Sequence, residues 1–271
     1  AKYIDHLKNE NFKKKKIDLT SIKIITSTGS PLSKESFNYV YKNIKKDVQL
    51  SSIAGGTDLV GCLVLGNLYS NVYEGEIQGQ SLGIDVDVFT EKGESAKDGE
   101  RGELVVRQPF PSMPVKFWGD EKGEKYNKAY FDKFENIWHH GDFVERTSNN
   151  GFVVHGRSDS TLNPGGVRIG TAEIYQQVEG IDFITEGLVV GQNYKNDVRI
   201  VLFVTTKNNQ KLDEEKVKLI KLRIRKNCSP KHVPAIIIKT PEIPRTKSGK
   251  IVELAVKKLI NGEALNNREA I

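Results

Sequence analysis

Hydrophobic and polar positions alternate along this chain in more than one rhythm, and each change of rhythm marks a change of architecture. Ser21-Ile-Lys-Ile-Ile-Thr26 reads as a strand, and Phe37, Val40, Tyr41 and Ile44 then recur at the i, i+3, i+4, i+7 spacing of a buried helix face. Ser33 precedes that face as an N-cap. Residues 48–53 read as a second strand, running into a glycine-rich turn, Ala54-Gly-Gly-Thr-Asp58. Strand, helix and strand in that order predict a β-α-β unit on a parallel sheet, whose tight loops are natural ligand sites.

From Glu74 to Arg107 the runs shorten. Residues 83–89 and 102–107 are separated by turns rich in Gly, Asp and Lys, which predicts a small β-subdomain. After Gly156 the pattern resets: a helix near 171–178, strands at 187–191 and 199–205, a basic helix from Asp213, a strand at 235–239 and a last helix from Val252. The expected fold is therefore an α/β part, residues 1–158, followed by a compact α+β domain, residues 159–271.

Composition narrows the class. With 271 residues, 37% apolar and 28% charged, the chain can build a packed core under a polar surface. No apolar run approaches the ~18 residues that span a bilayer, and the Lys-rich start lacks the apolar centre of a signal peptide, so a soluble cytoplasmic chain is expected. Cys62 and Cys228 stand alone, which argues against a disulfide framework or a Cys-based zinc site. Charge is uneven: residues 1–158 hold 22 Lys+Arg against 22 Asp+Glu, and residues 159–271 hold 19 against 13. A basic second part suits a polyanion, whether nucleic acid, an acidic membrane face or a phosphate-rich small molecule. The run Lys13-Lys-Lys-Lys16 reads as a solvated stretch.

Four glycine-bearing polar clusters carry the candidate chemistry. Thr28-Gly-Ser-Pro31 follows a strand and reads either as a turn or as a backbone surface for a flat ligand. In Ala54-Gly-Gly-Thr-Asp58 a hydroxyl beside a carboxylate offers a phosphate donor and a hard oxygen ligand for Mg²⁺. Gly156-Arg-Ser-Asp-Ser-Thr-Leu-Asn-Pro-Gly-Gly-Val-Arg-Ile-Gly170 brackets a Pro-Gly-Gly turn with two arginines, whose planar forks suit phosphate, while adjacent glycines admit a ligand to the backbone. Pro244-Arg-Thr-Lys-Ser-Gly-Lys250 is a basic loop without the G-x-x-x-x-G-K pattern of a P-loop. Between them, Trp138-His-His-Gly-Asp142 argues against a metal site, since adjacent histidines do not readily share one ion, and Asp142 suits a ribose diol.

Taken in this order, the clusters resemble those of the adenylate-forming acyl-CoA synthetases, chiefly through Gly156-Arg-Ser-Asp159, Asn163-Pro-Gly-Gly-Val-Arg-Ile-Gly-Thr-Ala-Glu173 and Pro244-Arg-Thr-Lys-Ser-Gly-Lys250. Val72-Tyr-Glu-Gly-Glu-Ile-Gln78, Pro111-Ser-Met-Pro114, His140-Gly-Asp142 and Ser229-Pro-Lys-His-Val-Pro234 point to the branch that activates acetoacetate. The resemblance covers the chain but only the later part of the family's architecture. It implies the C-terminal part of a large AMP-binding domain, then a small mobile domain with its hinge at Asp159.

It also implies roles. The family joins a carboxylate to AMP with loss of pyrophosphate, then exchanges AMP for the thiol of coenzyme A. By that pattern Lys250 reaches the bond forming between acyl oxygen and α-phosphate, Thr57 holds phosphate, and Asp58, where the family usually has Glu, meets Mg²⁺. Gly29, Ser30 and Pro31 border adenine, Asp142 binds the ribose hydroxyls, and Arg157 and Arg168 bind the ribose and phosphate of the adenylate. Gly165 and Gly166 line the pantetheine channel, and Arg225 meets the nucleotide of coenzyme A. Acetate-using relatives carry bulky aromatics just before the Thr-acid pair, so Ala54, Gly55 and Gly56 are expected to open room for a longer acyl chain such as acetoacetate. The family's Ser/Thr/Gly-rich phosphate loop is not in the sequence. The expected partners are ATP, a short-chain carboxylate, coenzyme A and an N-terminal half of the synthetase, with the 271 residues inactive alone. Alternatives are a non-catalytic remnant or regulatory fragment, a synthetase for acetate or propionate, and a nucleic-acid module, the last disfavoured because the basic helix lacks interleaved aromatics.

Overall fold

A computed structural model describes residues 1–9, 18–246 and 249–265, and the chain forms two compact units, Ala1–Val154 and His155–Ile271. In the first unit α1 (Lys2–Asn9) precedes β1 (Ile24–Ser27), α2 (Lys34–Tyr39) and β2 (Gln49–Ser52). Strands β1 and β2 pair in parallel, Ile24 opposite Gln49 and Ser27 opposite Ser52, so the expected β-α-β unit is present. The Ser33 hydroxyl caps α2 by accepting from the Ser36 N–H at 3.3 Å. The helix then widens into a π turn, Val40–Ile44, with Phe37 and Val40 fully buried and Tyr41 and Ile44 at the margin.

Strands β3 (Ala54–Gly56), β4 (Gly61–Leu65) and β5 (Gly79–Gln80) form an antiparallel sheet. This corrects the expected turn: Ala54 to Gly56 are strand, and only Thr57 to Val60 turn. A Cβ on Gly55 would lie 2.2 Å from the Gly61 carbonyl oxygen, so the pairing of β3 with β4 itself requires glycine there.

The next layer orders β6 (Val86–Phe89), β7 (Arg101–Val106), β8 (Trp138–Arg146) and β9 (Phe152–Arg157) in sequence, with β6, β7 and β8 antiparallel. The expected strands near 83–89 and 102–107 are β6 and β7. The sheet continues beyond Arg107 into β8, which the sequence pattern does not announce because His140, Asp142 and Phe143 are buried together and apolar residues do not alternate there. Helix α3 (Glu124–Tyr130) lies against β8, with Tyr130 stacked on Trp138 at 3.7 Å between ring centroids.

The second unit contains α4 (Thr171–Glu179), β10 (Ile184–Tyr194), β11 (Asp197–Thr206), α5 (Glu214–Asn227), β12 (Ile236–Lys239) and α6 (Glu253–Ile260). Its sheet runs β10-β11-β12, with an antiparallel hairpin and then a parallel pair. Val189, Ile200, Leu202 and Val204 pack with Ile174 and Val178 of α4 and with Ile220 and Ile224 of α5. Leu188, Val190 and Val201 pack with Ile243 and the apolar side of α6. Both faces are covered, which is why these strands read as continuous apolar runs. Among the described residues no helix is long and apolar enough to cross a membrane, and both cysteines are free thiols.

Candidate functional site

Parallel pairing of β1 with β2 brings the chain entering β3 beside the candidate loop that follows β1. Gly29, Ser30 and Pro31 leave the C-terminal end of β1 as an exposed loop, with Gly29 at φ 87°. The Ser27 carbonyl accepts from the Ile53 N–H at 2.9 Å, so the chain entering β3 starts beside that loop. Loops at the carboxyl ends of adjacent parallel strands are where α/β sheets place ligands.

Thr57 and Asp58 are exposed on the β3–β4 turn. A Cβ on Gly56 would stand 2.5 Å from Asp58 Oδ1 and 3.4 Å from His140 Cε1, so glycine lets the turn lie against β8. The Trp138 indole N–H donates to His140 Nδ1 at 3.4 Å. A neutral His140 then carries its hydrogen on Nε2, which faces Asp142 Oδ2 at 3.8 Å. The structure thus brings Asp58 and Asp142 near a histidine to which sequence reading gave no role in binding, with Thr57 next to Asp58 on the turn. Burial first, and the Asp58 charge second, raise the Tyr126 phenol above its usual range. Among the described residues no group of three or more His, Cys, Asp or Glu side chains is arranged to hold a metal. A lone exposed carboxylate nevertheless suits Mg²⁺, which takes one or two protein ligands and the rest from phosphate and water.

In the second unit Arg157 ends β9 with its Nε 4.0 Å from Asp159 Oδ1. Leu162 and Ile169 exchange backbone hydrogen bonds of 2.9 and 2.8 Å, closing a loop that holds Gly165, Gly166 and the half-buried Arg168. The two glycines differ. Gly165, at φ 58°, donates its N–H to Asp197 Oδ1 at 2.8 Å, and a Cβ there would meet Lys231 Nζ at 2.3 Å. The Gly165 and Val198 amides hold the Asp197 carboxyl below its usual range. Gly166, at φ 76°, has nothing within 4 Å of where a Cβ would stand.

The exposed Lys250 sits on a braced loop. Arg245 reaches Glu186 of β10 at 2.8 Å and the Gly249 carbonyl at 2.9 Å, and Lys250 donates its backbone N–H to Thr246 Oγ1 at 3.1 Å. Lys247 and Ser248 of the same motif lie outside the described residues. Arg225 stands exposed near the end of α5, which has Asp213, Glu214 and Glu215 at its start and Arg225 and Lys226 in its last turn, complementing the helix dipole. With Leu212, Val217, Leu222 and Val233 it lines a groove of about 440 Å³.

Sequence reading missed a polar node below this surface. The Tyr175 hydroxyl donates to Glu253 Oε1 at 2.5 Å and accepts from the Val189 N–H at 3.1 Å. The Ser160 and Thr171 hydroxyls lie close enough to Glu253 to favour its charged form, while the Ser160 hydroxyl donates to Asp159 Oδ1 at 3.3 Å. Burial pushes the Glu253 carboxyl up, against the pull of those three hydroxyls, and burial together with the Glu253 charge holds the Tyr175 phenol well above its usual range. Nearby, Lys257 Nζ donates to the Asp159 carbonyl at 2.9 Å. The four hydroxyl and carboxyl groups are spread from residue 160 to residue 253, so no local motif announces them.

No family model matches the chain. An acetoacetyl-coenzyme A synthetase of Rhizobium meliloti (strain 1021) is 56% identical over 272 residues, covering all of this chain and 42% of its own length. An acetoacetyl-CoA synthetase of Xenopus tropicalis is 46% identical over 254 residues, covering 93% of this chain and 38% of its own. The solved acetoacetyl-CoA synthetase from Streptomyces lividans superposes with a TM-score of 0.89 at 38% identity, over 97% of this chain and 40% of that one. The chain belongs to the adenylate-forming acyl-CoA synthetases. Within them it corresponds to a C-terminal portion of acetoacetyl-CoA synthetases, spanning about two fifths of the length of the curated relatives it matches.

Proposed function

We propose that this chain is the part of an ATP-dependent acid–thiol ligase that supplies the ribose acceptor, the mobile lysine and the thiol channel, with acetoacetate as the acid. The 56% identity to an acetoacetyl-CoA synthetase across all of this chain is the observation that carries the reading. In the first half-reaction the carboxylate attacks the α-phosphate of ATP and pyrophosphate leaves. Anion meets anion, so positive charge placed at the developing bond does most of the work.

Lys250 is the residue for that place, exposed on a loop whose backbone is braced by Arg245, Thr246 and Gly249. Thr57 offers a hydroxyl to phosphate, and Asp58 is the carboxylate that would hold Mg²⁺, whose chemistry is to neutralise phosphate charge. Gly29, Ser30 and Pro31 border adenine, Asp142 takes the ribose hydroxyls, and Arg157 and Arg168 steady the adenylate. In the second half-reaction the thiol of coenzyme A attacks the acyl carbon and AMP leaves. Gly165 and Gly166 form the wall of the channel for its arm, and Arg225 meets its nucleotide. Asp159 is the hinge between domains 1–158 and 159–271, and a cytoplasmic setting is part of the reading.

Because backbone pairing already demands glycine at 55, the lack of a ring there says little about acyl length, and acetoacetate rests on similarity to the named relatives. The test is Lys250→Ala in the full-length synthetase. Acetoacetate-dependent pyrophosphate exchange should fall by about 100-fold or more, on the order of a lost transition-state contact, while thioester formation from preformed acyl-AMP stays within a fewfold. Equal losses in both would refute the assignment.

A further inference from the structure

Strand β10 carries a bulge near its start. Ile184 stands opposite Thr206 and Glu186 opposite Thr205, so Thr185 is one residue more than the partner strand supplies. Residues two apart on a strand ordinarily share a face, and the extra residue reverses this. Ile184 packs with Val189 into the core formed with α4 and α5. Glu186 turns instead to the side of Leu188 and Val190, where Ile243 is buried and Ile251 packs. On that side its carboxylate accepts from Arg245 Nη2 at 2.8 Å.

Arg245 has a second task. Its Nη1 donates to the Gly249 carbonyl at 2.9 Å, and in the same peptide plane the Lys250 N–H donates to Thr246 Oγ1 at 3.1 Å. On the far side of the Lys250 Cα, the Lys250 carbonyl accepts from the Thr246 N–H at 2.8 Å. Peptide planes are rigid, so holding the plane on either side of a Cα fixes where that Cα stands and the direction in which its side chain departs. The guanidinium is a planar fork, so an acceptor that holds one of its nitrogens sets the direction of the other. We propose that Glu186 is a positioning residue for Lys250: the bulge aims it at Arg245, Arg245 passes the constraint to peptide 249–250, and the lysine projects from the second unit at a fixed place and angle.

The inference rests on the ligase reading above and deepens it. A lysine that meets the bond forming between acyl oxygen and α-phosphate must arrive in register, since misplacement by about 1 Å costs on the order of a hundredfold in rate. Neither Glu186 nor Arg245 touches substrate on this account. Arg245 belongs to the Pro244–Lys250 motif, whereas Glu186 lies 59 residues before Arg245 and outside every cluster read from the sequence.

Glu186→Ala tests this at a half-buried position of an edge strand, and Glu186→Gln, which keeps an oxygen able to accept from the guanidinium, serves as the rescue. In hydrogen exchange on the 271-residue chain, the amides of Thr246, Gly249 and Lys250 should take up deuterium at least tenfold faster in Glu186→Ala and return toward the original rate in Glu186→Gln, with the β10–β11 ladder amides unchanged. In the full-length synthetase, acetoacetate-dependent pyrophosphate exchange should fall tenfold or more in Glu186→Ala and recover to within threefold in Glu186→Gln. Thioester formation from preformed acyl-AMP should stay within twofold in both. Unchanged deuterium uptake at the three amides overturns the anchor. Faster uptake with pyrophosphate exchange within twofold overturns the role in placing Lys250, and so do equal losses in the two half-reactions, which mark Glu186 as a support of the fold. Lys250→Ala is measured alongside: if it keeps full pyrophosphate exchange, the ligase reading fails and the placing role fails with it, while deuterium uptake still decides the anchor.

Discussion

Replacing Tyr175 by phenylalanine removes one oxygen that performs two tasks. It donates to Glu253 Oε1 and accepts from the N–H of Val189, a residue with 0% exposure. Strand β10 is an edge of its sheet, so this outward N–H has no ladder partner to fall back on. A hydrogen bond to a carboxylate contributes about 1.5–3 kcal/mol net, and a buried N–H left without a partner costs about 1–3 kcal/mol. The two share an atom and do not simply add, and Glu253 keeps the nearby Ser160 and Thr171 hydroxyls, so the expected loss is ~2–4 kcal/mol. For a unit of this size that lowers the melting temperature by roughly 10 °C. Both tryptophans, Trp118 and Trp138, belong to the first unit, so their fluorescence reports that unit alone. Urea unfolding followed by hydrogen exchange in β10 and β11 should therefore show the loss while the fluorescence transition stays in place. A loss below about 0.5 kcal/mol in the second unit would refute the two-task account of this hydroxyl.

Other outcomes follow from single positions. Glu253 has its carboxyl raised by burial, so the folded chain binds more protons than the unfolded one above the ordinary value of 4.5; stability should fall as pH rises from there, and Glu253→Gln should flatten that slope in a thermal-shift series. Gly55→Ala drives a Cβ into the Gly61 carbonyl and should cost more than about 3 kcal/mol by tryptophan-monitored unfolding. Gly56→Ala clashes with the movable end of Asp58 and makes ordinary contact with His140 and Leu59, and should leave stability within about 1 kcal/mol while weakening the Mg²⁺ dependence of pyrophosphate exchange. At Gly166, Asn tolerates the positive φ and Leu does not; if the open space is the thiol channel, Gly166→Asn should still lose coenzyme A-dependent turnover with exchange intact, and full turnover would mean that only φ matters.

The second unit was legible because its sheet is covered on both faces. Apolar and polar residues do not alternate along β10; Leu188, Val189 and Val190 are all apolar and go to two cores, and the continuous run announces the strand. The β-α-β opening was legible for the opposite reason, since α2 buries one side and the spacing of Phe37 and Val40 records it. Strand β8 escaped because its buried positions include His140 and Asp142, so burial and apolar character part company where the chemistry lies. Strand β3 escaped because two of its three residues are glycine, a residue that signals turns, although here close strand approach is what demands it. The Pro-Gly-Gly loop was found from its residues, but its two glycines differ in surroundings, one hemmed in by Lys231 and one facing open space, and sequence has no sign for that difference.

A lysine that serves only one half-reaction can be withdrawn in two ways, by a loop that flexes or by a domain that turns with its loops fixed. The bracing of Arg245, Thr246 and residues 249–251 favours the second. Arg245 ties the loop to Glu186 on β10, the Arg245–Ile251 bridge closes it, and α6, which starts two residues later, is tied through Glu253 to Tyr175 and through Lys257 to Asp159. The loop therefore has anchors on the sheet before Lys250 and on α4 and the 158–160 turn after it. The described residues flanking Lys250 are held by the second unit and move with it, and the Lys250 side chain is exposed. On the proposed function, withdrawal of Lys250 then calls for motion of the second unit as a body rather than for flexing of the loop.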